Sequence, residues 1–176
     1  MHAIVKTWLR CCVVLYCSSM AQAQAQTKQA QNPIIFADVP DLSMIRVGNS
    51  YYMSSTTMHM SPGVPIMKSD DLVNWKLVSY AYDTLADVDA LNLADGKDAY
   101  GRGSWASSLR YHNGMYYVTT FAQTTHKTYI YSTNDIEKGA WKRISFSPAY
   151  HDHSLFFDDD VFGSRQIRGS RLGIRE

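Results

Sequence analysis

Two stretches of this chain, SMIRVGNSYYM and SSLRYHNGMYYV, are versions of one β-hairpin. Arg46 matches Arg110, and the pair Tyr51-Tyr52 matches Tyr116-Tyr117. The turns carry Gly48-Asn49 and Asn113-Gly114, residues that tolerate the positive φ a two-residue hairpin turn demands. A second matched pair follows each hairpin, IMKSDDLVNWK and IYSTNDIEKGAWK, aligning Ile66 with Ile130 and Trp75 with Trp141. The offset is 64 residues for the arginines and isoleucines and 66 for the tryptophans. Each unit therefore holds about four strands and closes on a buried-type tryptophan, the pattern of β-propeller blades in tandem. A β-sandwich is the alternative, but it does not predict matched loops and tryptophans at one offset. HSLFFDDD reads as the opening of a third unit, and Asp83 to Gly103 as an insertion in the first.

The chain has 176 residues and a formal net charge of +1, so neither a nucleic-acid footprint nor an acidic tail stands out. Residues 1–25 read as an export signal. Lys6 and Arg10 form the basic region, Cys11 to Cys17 the apolar region, and Ala21-Gln-Ala23 the small-x-small cleavage site. The apolar run is too short to span a bilayer, and Tyr16 before Cys17 argues against a lipoprotein. The mature protein is expected in the periplasm or outside the cell, with no membrane or nucleic-acid partner. All three cysteines lie in the signal, so the fold is expected to stand without disulfides.

Several motifs match only in letters. Gly101-Arg-Gly103-Ser-Trp-Ala106 spells a dinucleotide fingerprint, but no βαβ unit surrounds it. DVDALNLADGKD has Leu91 at the fifth position of a calcium loop, no glycine at the sixth and Asp98 in place of the closing glutamate. No Gly-x-Ser-x-Gly elbow is present, and His151 and His153 read as a polar lead-in to a strand rather than a metal pair.

The repeat itself supplies a better candidate. Two residues before a strand serine stand Asp41 (before Ser43), Trp105 (before Ser107) and Asp152 (before Ser154). First strands of successive blades line a common axis, so these positions are expected to converge on one mouth of the channel. Two carboxylates and an indole there would bind a sugar and move protons; strand-end capping by Asp41 and Asp152 is the plainer reading.

NPIIFADVPDLSMIRVGNSYYMSST, TMHMSPGVPIMKSDDLVNWKLVSYAY, GSWASSLRYHNGMYYVTTF and HDHSLFFDDD together resemble the N-terminal part of glycoside hydrolase family 43. The resemblance runs from Asn32 to Asp160. It implies a five-bladed β-propeller, here about two blades and the start of a third, and a β-xylosidase or α-L-arabinofuranosidase activity on xylo- or arabino-oligosaccharides. It implies that Asp41 is the general base, that Asp152 modulates the pKa of the general acid, and that Trp105 lies beside the sugar, although Ser107 stands where the family usually has proline. No cofactor is implied, and a structural calcium on the propeller axis is left open. The family inverts configuration, with base and acid about 6.5–9.5 Å apart.

The family's acid is a glutamate in a later blade. This chain has two glutamates, Glu137 in the loop before Trp141 and Glu176 at the end, and neither matches. After Asp158-Asp159-Asp160 comes VFGSRQIRGSRLGIRE with Arg165, Arg168, Arg171 and Arg175, whereas residues 26–160 hold only Arg46, Arg102, Arg110 and Arg143. This break reads as a shifted or truncated frame, with a genuine basic arm as the other reading. Residues 26–160 are thus expected to form a partial propeller, and 161–176 an aberrant tail that completes no hairpin. The expectation is a glycosidase copy lacking its acid and of little activity; a non-catalytic carbohydrate-binding remnant is the alternative.

Overall fold

The computed structural model describes residues 30–59, 61–158, 161–166 and 171–174. The proposed export signal at residues 1–25 lies outside them. Everything below belongs to the compact unit Pro33–Glu176.

The hairpin signals give an all-β arrangement. β1 (Ser43–Val47), β2 (Ser50–Ser54), β3 (Gly63–Ser69) and β4 (Lys76–Tyr82) form one antiparallel sheet in that order. β5 (Ser108–His112), β6 (Met115–Ala122), β7 (Lys127–Thr133) and β8 (Lys142–Phe146) form a second sheet in the same way. Gly48 (φ 61) and Asn113 and Gly114 (φ 46 and 80) take the left-handed conformations that let each two-residue turn close.

The register corrects the sequence alignment at its first hairpin. Val47 pairs with Ser50, and His112 with Met115, so Val47 is equivalent to His112. Arg46 therefore corresponds to exposed Tyr111, and Arg110 to Ile45. A one-residue slip exchanges the two faces of a strand, which is why the matched arginines play unlike parts. Arg110 turns inward, donating through Nε to the Leu155 carbonyl at 3.0 Å and through a terminal nitrogen to Leu109 O at 2.7 Å. The Ile66–Ile130 match holds, because each pairs with the equivalent Ser54 or Thr119. Trp75 and Trp141 are half-buried rather than fully enclosed.

Alternation along the strands decides how the sheets stack. Tyr129 and Tyr131 of β7 face the first sheet, joining Tyr52, Val64, Ile66, Leu109 and Val118 in the main core. Ile130, between them, faces the other way and packs on Leu155 with Tyr117, Phe146 and Phe157. β7 is covered on both faces, which explains why TYIYST is buried at every position but Ser132. At the outer edge of this seam, Glu137 accepts hydrogen bonds from Tyr52 Oη (2.8 Å) and Lys68 Nζ (2.6 Å). Burial, and then Glu137, push the Tyr52 hydroxyl up to about 12.

The tail departs from expectation. β9 (His153–Asp158) pairs antiparallel with β10 (Val161–Gln166), Val161 opposite Asp158, and β10 pairs with β11 (Arg171–Ile174). Residues 161–166 do complete a hairpin, and 171–174 extend it. Strand pairing is made by main-chain N–H and C=O groups, which arginine presents as well as valine does, so composition was a poor guide.

Candidate active site

The innermost strands β1, β5 and β9 stand side by side, stitched by two serines. The Leu109 N–H donates to Ser43 Oγ at 3.0 Å, and the Leu155 N–H to Ser108 Oγ at 3.2 Å. Ser43, Ser108 and Ser154 are thereby equivalent, not Ser43, Ser107 and Ser154. The residues two places earlier are Asp41, Ala106 and Asp152. Trp105 lies one place further back, level with Pro40 and His151. The triple match of Asp41, Trp105 and Asp152 is corrected to a match of the two aspartates. Their backbones agree: Asp41 has φ 50 and Asp152 φ 47, left-handed conformations that aspartate tolerates better than most residues.

Both aspartates precede their strands at one end of the sheets. That end also carries the β2–β3 loop, the insertion with Trp105, the β6–β7 loop, and the β8–β9 loop with His151. Asp41 is exposed, and the segment before it is pinned by the Thr56 N–H on Pro40 O at 3.2 Å. Asp152 Oδ2 meets His151 Nδ1 at 3.1 Å, with both side chains about half exposed. The His151 ring lies 5.9 Å from Trp105 and 4.9 Å from Phe121. Trp105 is tied by its indole N–H to Gly101 O (2.9 Å) and by its carbonyl to the Thr120 hydroxyl (2.6 Å). His151 thus links Trp105 to Asp152, a role its reading as a mere polar lead-in missed. The signal was adjacency: a histidine directly before a candidate carboxylate and level with a candidate tryptophan.

Beneath them, buried His153 holds the strand start in place. Its Nδ1 faces Tyr150 O at 2.7 Å and its Nε2 faces Thr119 Oγ1 at 2.5 Å. Burial lowers its pKa, favouring the neutral ring.

Glu137 sits at the opposite end, in the β7–β8 loop. Lys68 first, and then Tyr52, hold its carboxyl below the ordinary range, the reverse of what a proton donor needs. Among the described residues no group of three or more His, Cys, Asp or Glu side chains could hold a metal ion, and no helix is long and apolar enough to cross a membrane.

Consecutive antiparallel sheets with their inner strands abreast define an all-β protein, with two aspartates and several aromatics gathered at one end of the sheets. The sequence profile of glycosyl hydrolases family 43 matches residues 30–166, and the chain belongs to that family. It is 36% identical to a β-xylosidase of Formosa agariphila, over 74% of this chain and 22% of that protein. It is 33% identical to a non-reducing end α-L-arabinofuranosidase of Bacteroides ovatus, over 96% of this chain and 32% of the relative. Among solved structures, a bifunctional GH43-CE protein of Bacteroides eggerthii superposes with a TM-score of 0.79 at 65% identity, covering 84% of this chain and 21% of that one. The chain thus spans between about a fifth and a third of the length of these proteins.

Proposed function

We propose that this chain supplies the water-activating side of an inverting glycoside hydrolase acting on xylan- or arabinoxylan-derived oligosaccharides. In this reading it forms two blades and opens a third of a five-bladed propeller, in an exported protein. One observation carries the proposal: within a family 43 match, Asp41 and Asp152 precede β1 and β9, the two inner strands that flank β5, at the same end and with the same left-handed backbone.

Asp41 is exposed and has no ion pair among the described residues, which leaves it free to take a proton from water. That water attacks the anomeric carbon from the face opposite the leaving group, which inverts configuration. Asp152, anchored by His151, orients the acid and raises its pKa by like charge. Trp105 offers an aromatic surface to the sugar's C–H face. The acid is not Glu137, which is paired at the far end, so protonation of the leaving group lacks a glutamate among the described residues. General acid help is worth about 10²–10⁴ in rate, and this chain alone is correspondingly slow on natural glycosides. That same pairing of Glu137 favours a second reading, a carbohydrate-binding remnant without turnover.

The test is hydrolysis of dinitrophenyl β-xyloside and α-L-arabinofuranoside, with the product anomer followed by NMR. Slow release of the inverted anomer, lost in Asp41→Asn and little changed in Asp152→Asn, supports the enzyme. Binding of xylan with no release from either glycoside supports the remnant.

A further inference from the structure

The insertion between β4 and β5 is sewn into the protein rather than draped over it. Leu85 and Ala99, near its two ends, are buried, and Leu85 belongs to the main core. The buried Ser104 fastens its exit. The Ser104 carbonyl accepts from the Thr56 hydroxyl (2.6 Å) and the Met58 N–H (3.0 Å), and its hydroxyl meets those of Tyr82 (2.7 Å) and Thr57 (3.3 Å). The Gly103 N–H donates to Met58 O, and a Cβ at Gly103 would collide with that oxygen. The β2–β3 loop and the insertion are therefore locked together, and a cavity of about 400 Å³ lies between them.

Its lining includes His59, Tyr82, Leu91, Leu93, Asp98 and Tyr100. Tyr100 is 76% exposed; His59 stacks on its ring at 4.5 Å between centroids, 24° from parallel. Asp98 Oδ1 accepts the Tyr100 main-chain N–H at 2.9 Å, and both residues line the cavity. This volume is within the range of ligand pockets, about 300–1,000 Å³. The insertion that builds it also holds Trp105, through the bond to Gly101 O.

We propose that the insertion forms a second sugar subsite, outside the Asp41 and Asp152 machinery, that holds a neutral pentose unit of the same glycan. An aromatic face packs against sugar C–H groups, the leucines cover the ring's apolar edge, and Asp98 accepts from hydroxyls. The lining has a carboxylate and, among the described residues, no lysine or arginine, which selects a neutral sugar over a uronic acid. The proposal rests on the functional reading above and assigns Tyr100 as its specificity residue. An extended oligosaccharide, not a simple glycoside, is the ligand it fits.

The experiment is calorimetric titration of the full chain with xylotetraose and with xylose. Tyr100→Ala and Tyr100→Phe are both surface changes. Xylotetraose is expected to bind more tightly than xylose, with Tyr100→Ala weakening it about tenfold and Tyr100→Phe leaving it unchanged. Equal affinity of Tyr100→Ala and the unaltered chain overturns the subsite, as does no binding of xylotetraose. Turnover of dinitrophenyl β-xyloside, which fills only the Asp41 end, scores the functional reading separately. Release that survives Tyr100→Ala while xylotetraose affinity is indifferent to that change sinks this subsite alone.

Discussion

Ser108→Ala tests the seam that sets the site. The hydroxyl removed is the acceptor for the Leu155 main-chain N–H, at 3.2 Å. Ser108 is 3% exposed and Leu155 1%, so no water replaces the lost oxygen. A buried donor left unsatisfied costs roughly 1–3 kcal/mol. With a urea dependence of about 2 kcal/mol per molar, the unfolding midpoint should fall by roughly 0.5–1.5 M. Ser108→Thr keeps the oxygen and should recover most of the loss. Ser107→Ala is the internal comparison: it removes only a 2.8 Å contact with the Ser54 hydroxyl and should cost less than about 1 kcal/mol. The two variants are read by circular dichroism in the same urea series. If Ser107→Ala proved the more damaging, the serine stitches would not hold β5 to β9. The equivalence of Asp41 with Asp152 would then lose its basis.

Gly63→Ala should lower Tm by about 3–10 °C in a thermal scan, because a Cβ there falls into the Tyr82 ring, whose hydroxyl is fixed on Ser104. Glu137→Gln should cost about 1 kcal/mol at neutral pH, a modest figure because the carboxylate is partly exposed. Lys68 and Tyr52 depress the Glu137 pKa, so its contribution is present above the unfolded value of about 4.3 and is lost as pH falls through the folded value. The stability gap between the chain and Glu137→Gln, measured by urea unfolding, should therefore close as pH falls below about 4.3 and through the depressed folded value. Ending the chain after Asp160 removes the β10 partner of β9, and amide exchange across His153 to Asp158 should quicken. Unchanged protection there would show that the pairing contributes nothing.

The hairpins were legible because their turns need particular residues: Asn113-Gly114 and Gly48-Asn49 mark both loop length and strand pairing. The four-strand unit was legible because Ile66 and Ile130 sit at equivalent points of equivalent strands. What identity matching could not see was a one-residue difference in spacing before each hairpin turn. It aligned Arg46 with Arg110 and drew Trp105 into line with the aspartates. In a strand that error swaps the inner and outer faces, and only the hydrogen-bond register exposes it. The insertion read as an interruption, because Leu85, Leu91 and Leu93 follow no strand or helix period; their cavity depends on Ser104 and Gly103 fastening a distant loop. The arginines after Asp160 obscured strands that the main chain makes regardless of side chain.

The central claim is a site with its base but without its acid among the described residues. Its most direct measurement compares initial rates of the intact chain on dinitrophenyl β-xyloside and on xylobiose. Dinitrophenolate leaves without a proton, so slow hydrolysis of that substrate, abolished by Asp41→Asn, is predicted. Xylobiose, whose leaving group must be protonated, should remain uncut. Cleavage of xylobiose as fast as the activated glycoside would contradict the account, and loss of that cleavage in Glu137→Gln would show the acid where the structure pairs it with Lys68.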